Sequence, residues 1–500
     1  MEGRERRLSE RGITAARAWL SCMNSLIGGK VYAVSGSAPN ILLITADQLR
    51  YDCVGYGGTY PVHTPNLNAL AAQGAAFTNA FSHIPLCCPA RQSLLHGRRP
   101  ETFGALWNFS GALPVASLQP EAFTWTRSLA DNGYRSAFLG KWGVHPTLDA
   151  TAFGYDSYTG ELDYRRFAES RYPDVAYTNG FFGETNPIPV EHSRTHWFAG
   201  RAVEQLEKLQ ASGAPWHMAL HFTDPHLPCR PSGRFADMYD PASIPEWAGF
   251  RETFADKPYI QRQQLLNWDI EHYIWEDWAP IVARYYGMIS QVDEAVGIVL
   301  KALKESGQDD NTIVIFTADH GDMCGSHRMM DKHYILYDDV VHVPFMIRWY
   351  GRWESGLRCD RFVYNILDLV PTLLEAAGLE AEPGFLQGRS LVPLLAGRQD
   401  EIVDWRDAVV ASYNGQQFGL YTQRMIRTER WKYVWNTTDM DELYDLLEDP
   451  AELVNLIGDP PSEAELSVLR RRLYEQLAAD GDGLVGNEWM RRQLLGGRKL

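Results

Sequence analysis

The 500 residues contain no C-x-x-C pair, no internal repeat and no low-complexity tract. Cysteine is scarce and odd in number: Cys22, Cys53, Cys87, Cys88, Cys229, Cys324 and Cys359. Such scattered spacing makes a poor disulfide framework and suits a reducing compartment. Without C-x-x-C, a zinc-ribbon site and a thioredoxin-like motif are both excluded. Basic residues are also in deficit, 47 Lys and Arg against 63 Asp and Glu, for a formal net charge of -16. A nucleic-acid partner is therefore not expected, because binding a phosphate backbone needs concentrated positive charge. An anionic small substrate stays open, since a few local cations and a metal can outweigh the global field inside a cleft. The stretch Ala18–Val34 follows five arginines but is broken by Asn24 and Lys30, too polar and short to span a bilayer. It is also a poor signal peptide, although Val34-Ser35-Gly36-Ser37-Ala38 has the small residues of a cleavage region. A cytoplasmic location without membrane attachment is expected, with export by a weak N-terminal signal left open. Residues 1–38 are an extension of unknown role.

What is present is ordinary globular composition, 45% hydrophobic and 22% charged. From Asn40 onward, apolar runs alternate with amphipathic stretches. Asn40–Ala46 reads as a buried strand and 66–74 as a helix, followed by a helix over 126–133 and a strand over 136–139. Further on come a helix over 198–209, a strand over 217–222, a long helix over 281–304 and a strand over 311–316. Strands alternating with helices predict an α/β fold, a large and mostly parallel sheet between helices. After residue 396 the pattern changes to short strands at 408–411, 424–435 and 442–444 and a helix over 463–477, a C-terminal subdomain with a small antiparallel sheet. The expected division is an extension over 1–38, a catalytic domain over 39–396 and a subdomain over 397–500.

In a parallel sheet, ligands bind beyond the carboxyl ends of the strands. The first strand delivers Asp47-Gln48 there, and the strand at 311–316 delivers Asp319-His320-Gly321-Asp322. Each acidic residue alone reads as a helix cap or turn residue. Together, from separate strands, they could converge on one hard cation through oxygen ligands and an imidazole. Between them lies Cys87-Cys88-Pro89-Ala90-Arg91-Gln92-Ser93-Leu94-Leu95-His96-Gly97-Arg98. Proline two residues after Cys87 suits a helical first turn, placing residue 87 at a helix N-terminus that favours anions.

Here the chain resembles the sulfatase family, whose C-x-P-x-R signature and following Leu-Leu-x-Gly-Arg are matched at these positions. The resemblance runs from Pro39 to Leu456. Thr64-Pro65-Asn66-Leu67, Gly140-Lys141-Trp142, Asp224-Pro225-His226, Gly388-Arg389-Ser390-Leu391 and Glu442-Leu443-Tyr444-Asp445-Leu446 stand in family order. It implies the alkaline-phosphatase-like α/β sandwich and conversion of Cys87 to formylglycine by a formylglycine-generating enzyme. One hydroxyl of the formylglycine hydrate attacks sulfur and the other later expels the sulfate. By position, Arg91 would hold the hydrate. Asp47, Gln48, Asp319 and His320, together with Cys87 itself, would ligate one divalent metal, calcium first by ligand hardness, with manganese compatible with the imidazole. Lys141 and Lys332 match lysines that hold the anionic substrate, His226 the histidine at the leaving oxygen, and Asn108 a substrate-contact position. Asn108-Phe109-Ser110 is also a glycosylation sequon, read here as coincidence.

One departure stands out. Many sulfatases have Lys-x-His where this chain has Lys141-Trp142-Gly143, so either His145 reaches the same place from a longer loop or its function is absent. The Asp47-Gln48 and Asp319-His320 pairs resemble the metal set of phosphonate monoester hydrolases, the alternative activity along with phosphodiesterases, whereas Lys141 favours sulfate. The expected substrate is a small-molecule or saccharide sulfate ester, and a homo-oligomer is left open. Trp107, Trp142, Trp247, Trp268, Trp275 and Trp278 are candidates for a pocket rim or for packing. The insert 250–278 reads as a lid or an interface.

Overall fold

The run Asn40–Asp47 has no polar face at any period, so it is stable only as a strand covered on both sides. In the computed structural model, which describes residues 38–499 except 112, 399–401, 417–418, 459 and 461–462, this strand (β1) is buried along its whole length. The expected cleavage region over 34–38 lies, apart from Ala38, outside the described residues, as does Cys22.

The chain continues with β2 (Ala75–Phe77), β3 (Ala80–Phe81), β4 (Arg135–Gly140), β5 (Ser157–Gly160), β6 (Trp216–Pro225), β7 (Thr312–Ala318), β8 (Phe345–Arg348), β9 (Leu357–Cys359) and β10 (Val363–Tyr364). Eight of these strands form one sheet in the order β5-β4-β6-β1-β7-β8-β2-β9. Only β8 runs against its neighbours. The mixed sheet is thus mostly parallel, as expected, while β3 and β10 form a separate short parallel pair. The helix Arg194–Ala211 packs on β4 and β6 and on the helix Trp275–Glu305, and Cys87–His96 packs on Trp125–Asp131 and Leu369–Ala376.

Two helices are longer than their apolar periodicity indicates. The one expected over 198–209 starts at Arg194, after a Ser193 hydroxyl that accepts from the His196 N–H. The one expected over 281–304 starts at Trp275, with Pro280 inside it. A proline that near the N-terminus displaces only an early backbone bond, and the Asp277 carboxylate, 3.0 Å from the Ile274 N–H, secures the first turn.

In the C-terminal part, β11 (Val409–Gln416), β12 (Gly419–Arg427), β13 (Trp431–Asn436) and β14 (Glu442–Asp445) make an antiparallel sheet in sequence order. The segment expected as strand over 424–435 is two strands joined by a turn at 428–430. Alternation sorts their side chains: Val410, Ile426, Tyr433 and Trp435 face Leu466, Leu469, Leu473 and Leu477 of the helix Glu463–Ala479. Val409, Ala411, Tyr413 and Met425 point the other way, into the main core. Pro39–Leu500 accordingly packs as one unit. Among the described residues no helix is long and apolar enough to cross a membrane.

Candidate active site

Strand register decides which polar side chains meet. Ala46 of β1 pairs with Ala318 of β7, so Asp47 and Asp319 leave the same sheet edge on neighbouring strands, about 4.8 Å apart. On the other side of β1, His226 follows the end of β6, and Lys141 follows the end of β4. Gln48 takes a left-handed φ of 69°, a region costly for a side-chain-bearing residue. The bend brings its backbone N–H to 3.2 Å from Asp319 Oδ1.

Cys87 is the first residue of its helix, which closes at Gly97, where φ is 73°. Cys87 is 3% exposed, with Sγ 3.6 Å from Asp47 Oδ1 and 3.3 Å from His320 Nε2. Asp47, Cys87, Asp319 and His320 each offer a ligand atom, all within 4.8 Å of one another, and all four are buried.

The electrostatics of this group fit a divalent cation. Burial works to raise the Asp47 carboxyl, but Lys141, His226 and Arg91 together outweigh it and hold Asp47 well below the usual carboxylate range. Burial pulls His320 down, which keeps its imidazole neutral. The His320 Nδ1 lies 2.9 Å from the Gly321 carbonyl, so it carries the proton and leaves the Nε2 lone pair facing the carboxylates. Asp319 Oδ2 accepts no hydrogen bond among the described residues, although Arg91 Nη2 stands 3.0 Å away. Two carboxylates and a neutral imidazole are a hard-to-borderline donor set of the kind that holds calcium or manganese. Burial, and then Asp47, push the Cys87 thiol up.

Cations ring this group. Arg91 Nη2 donates to Asp47 Oδ2 at 2.9 Å, and Lys141 Nζ pairs with the same oxygen. Lys332 is 2% exposed, and its Nζ donates to Gln48 Oε1 at 2.8 Å and lies 3.0 Å from His226 Nε2. Burial would lower the Lys332 ammonium, but the Asp331 carboxylate outweighs it and pushes it up. His226 Nδ1 donates to the Leu227 carbonyl, so its Nε2 is the acceptor for Lys332.

The other expected site residues fall differently. The Gln48 amide nitrogen donates to Asp322 Oδ2 at 2.6 Å and Asp331 Oδ1 at 2.9 Å, so its carboxamide bridges the two loops that carry His320 and Lys332. Asn108 Oδ1 accepts from the Cys88 N–H at 2.9 Å, while its own N–H donates to Gln416 Oε1. It satisfies a free amide in the first turn of the Cys87 helix. His145 does not join the group: its Nδ1 accepts from the N–H groups of Thr147 and Leu148 in its own loop.

Trp142, Trp247 and Trp278 are buried and act as packing, which removes them from the rim; Trp107, Trp268 and Trp275 are partly exposed. The insert 250–278 is an interface within the chain. Gln264 Nε2 donates to the His333 carbonyl at 2.7 Å, Gln261 to Glu442, and Lys257 to Tyr444 and the Glu452 carbonyl. It ties the Lys332 loop to the C-terminal sheet. Sequence reasoning missed Asp331 and His221, which touch Lys332 and Arg91. Asp331 stands beside a motif lysine, a signal that was available; His221 sits inside an apolar run and carried none.

The family model for sulfatases matches residues 39–379. This chain belongs to the sulfatase family. It is thereby a sulfuric ester hydrolase on the alkaline-phosphatase-like fold. A model for the C-terminal part of N-sulphoglucosamine sulphohydrolase matches residues 325–479. The chain is 28% identical to an arylsulfatase of Clostridium perfringens, covering 91% of this chain and 97% of that protein. It is also 28% identical to an ulvan-active sulfatase of Formosa agariphila, covering 90% and 83%. Among solved structures, the phosphonate monoester hydrolase of Agrobacterium radiobacter superposes with a TM-score of 0.76 at 27% identity, covering 88% of this chain and 96% of that one.

Proposed function

We propose that this sulfatase hydrolyses a sulfate monoester with formylglycine at position 87 and one divalent cation, calcium by first choice, held by Asp47, Asp319 and His320. The observation that carries the reading is the placement of Cys87 at a helix N-terminus within reach of two buried carboxylates and a neutral imidazole. Formylglycine, once hydrated, would supply a hydroxyl nucleophile, and a cation held by Asp47, Asp319 and His320 would supply Lewis acidity and positive charge toward that hydroxyl and the transferred group. The chain's own residues do the rest. Arg91 and Lys141 bring fixed positive charge to Asp47 and residue 87, so an anion forming there meets donors already in place. Lys332 Nζ and His226 Nε2 are hydrogen-bonded at 3.0 Å, and an ester oxygen departing beside this pair would find a charged donor in the Lys332 ammonium. The substrate class, a small-molecule or saccharide ester, agrees with relatives named for aryl sulfate and ulvan.

A second reading, phosphonate monoester hydrolysis, is favoured by the His320 imidazole, the Asp47-Gln48 pair and the likeness to the Agrobacterium enzyme. Initial rates on 4-nitrophenyl sulfate and an aryl phosphonate monoester, with protein coproduced with a formylglycine-generating enzyme, separate the two. Faster sulfate cleavage supports the first reading; faster phosphonate cleavage overturns it in favour of the second. Lys141→Ala is expected to lower kcat/KM on the aryl sulfate by roughly 10²–10³-fold, the usual effect of deleting one preorganised charge donor. Unchanged kinetics would remove Lys141 from the site.

A further inference from the structure

His221 lies on β6, paired with Gly140 of β4 and Thr45 of β1. Its side chain is buried and sits edge-on to Phe138, with ring centroids 4.7 Å apart. Its Nδ1 is 3.0 Å from Arg91 Nη1. A guanidinium can only donate, so Nδ1 is the acceptor and the neutral ring carries its proton on Nε2, which has no partner among the described residues. Burial, reinforced by Arg91, pulls this histidine well below its ordinary range, which keeps the lone pair on Nδ1.

The same Nη1 donates to the Lys141 carbonyl at 3.0 Å. Nη2 donates to Asp47 Oδ2 at 2.9 Å and lies 3.0 Å from Asp319 Oδ2. Arg91 Nε has no partner among the described residues. The guanidinium is therefore held from one end by His221 and the Lys141 carbonyl, and from the other by the two carboxylates. The backbone of His221 acts as well, since its carbonyl accepts from the Lys141 N–H at 2.9 Å. That approach requires Gly140, where φ is +101° and an added Cβ would stand 1.9 Å from the His221 oxygen.

We infer that His221 is a positioning residue for Arg91: its Nδ1 sets the guanidinium in the plane that lets one nitrogen span Asp47 and Asp319 beside residue 87. The inference rests on the proposed role of Arg91 at a formylglycine nucleophile. Because Arg91 serves the nucleophile, losing its alignment lowers kcat and leaves KM nearly unchanged.

The test uses the full chain coproduced with a formylglycine-generating enzyme, with formylglycine content and melting temperature matched between variants. His221→Phe keeps a ring and removes the acceptor; His221→Asn keeps an acceptor near the Nδ1 position. On 4-nitrophenyl sulfate, His221→Phe is expected to lose about 10- to 100-fold in kcat, the usual cost of removing such an outer partner. His221→Asn should stay within about fivefold of the parent, because the acceptor that aligns Arg91 is kept. If His221→Phe does not fold, His221→Ala takes its place with the same expectation. Parent-level kcat in the acceptor-less variant, or equal losses in it and His221→Asn, overturns the inference. Should the parent protein prove inactive on sulfate esters, the sulfatase reading fails separately, and crystal structures decide this point. A guanidinium turned away from either carboxylate in the acceptor-less variant supports the positioning role, and an unmoved one overturns it.

Discussion

Cys87→Ala is expected to lose aryl sulfate hydrolysis by on the order of 10⁴-fold or more, the scale seen when a covalent nucleophile is removed. The side chain is small and 3% exposed, and alanine differs from it by one sulfur atom, so folding should be retained. The loss is therefore one of chemistry. A Cys87 thiol cannot substitute for formylglycine, since it lacks the second hydroxyl of the hydrate whose elimination expels the sulfate and regenerates the nucleophile. The expected pattern is thus double: the alanine variant is inactive, and parent protein made without a formylglycine-generating enzyme is equally inactive although its cysteine is intact. Kinetics combined with peptide mass at position 87 check both. Full activity with an unmodified cysteine would overturn the formylglycine assignment and leave the scaffold standing.

The second large effect concerns the carboxylates. Asp319→Asn is expected to lower kcat/KM by about 10³-fold, roughly 4 kcal/mol, with a smaller loss of melting temperature than Asp47→Asn. Among the described residues the Asp319 Oδ2 accepts no hydrogen bond, and although it pairs with Arg91 at 3.0 Å, Arg91 keeps Asp47 as a second carboxylate, so the substitution removes a ligand charge and leaves the buried guanidinium one anionic partner. Asp47→Asn should lose as much activity and unfold more easily. Asp47 Oδ2 is shared by Arg91 and Lys141, and withdrawing the anion from a buried pair costs about 3–5 kcal/mol. Titration with calcium and manganese after chelation, beside a thermal melt, measures both quantities. Equal melting temperatures for the two variants would show that Lys141 and Arg91 do not depend on Asp47 for their neutralisation. Parent-level metal affinity in Asp319→Asn would remove it from the ligand set.

Much of this was legible in one dimension because the strands are buried on both faces. A strand such as Ile313–Phe316 must be wholly apolar, so the polar residue that ends it is conspicuous, and Asp47 and Asp319 are both found that way. The same rule hid His221, a polar residue inside the apolar run 217–222 that looks like an ordinary strand position. Short strands such as β2, β3, β9 and β10, two or three residues each, have no readable period. They exist because a neighbouring strand is there to bond with. The insert 250–278 carried aromatic and charged residues without a pattern, and only the hydrogen bonds of Lys257, Gln261 and Gln264 to distant loops show it to be an anchor.

Composition, the alternation of apolar strands with helices, and the spacing around Cys87 suffice for the fold class, the family resemblance and most of the chemical groups at the site. These features are local: a period, a proline in a first turn, a glycine at a helix end. Which groups touch is a matter of register and crossover between segments far apart in the chain, 271 residues for the Gln48 N–H and Asp319 and 284 for Lys332 and Gln48. Tertiary packing alone turned Asn108 onto the Cys87 helix, engaged His145 within its own loop, set Gln48 between Asp322 and Asp331, and placed His221 behind Arg91. A side chain's partners depend on which strands lie beside its own, and no window along the chain contains that information.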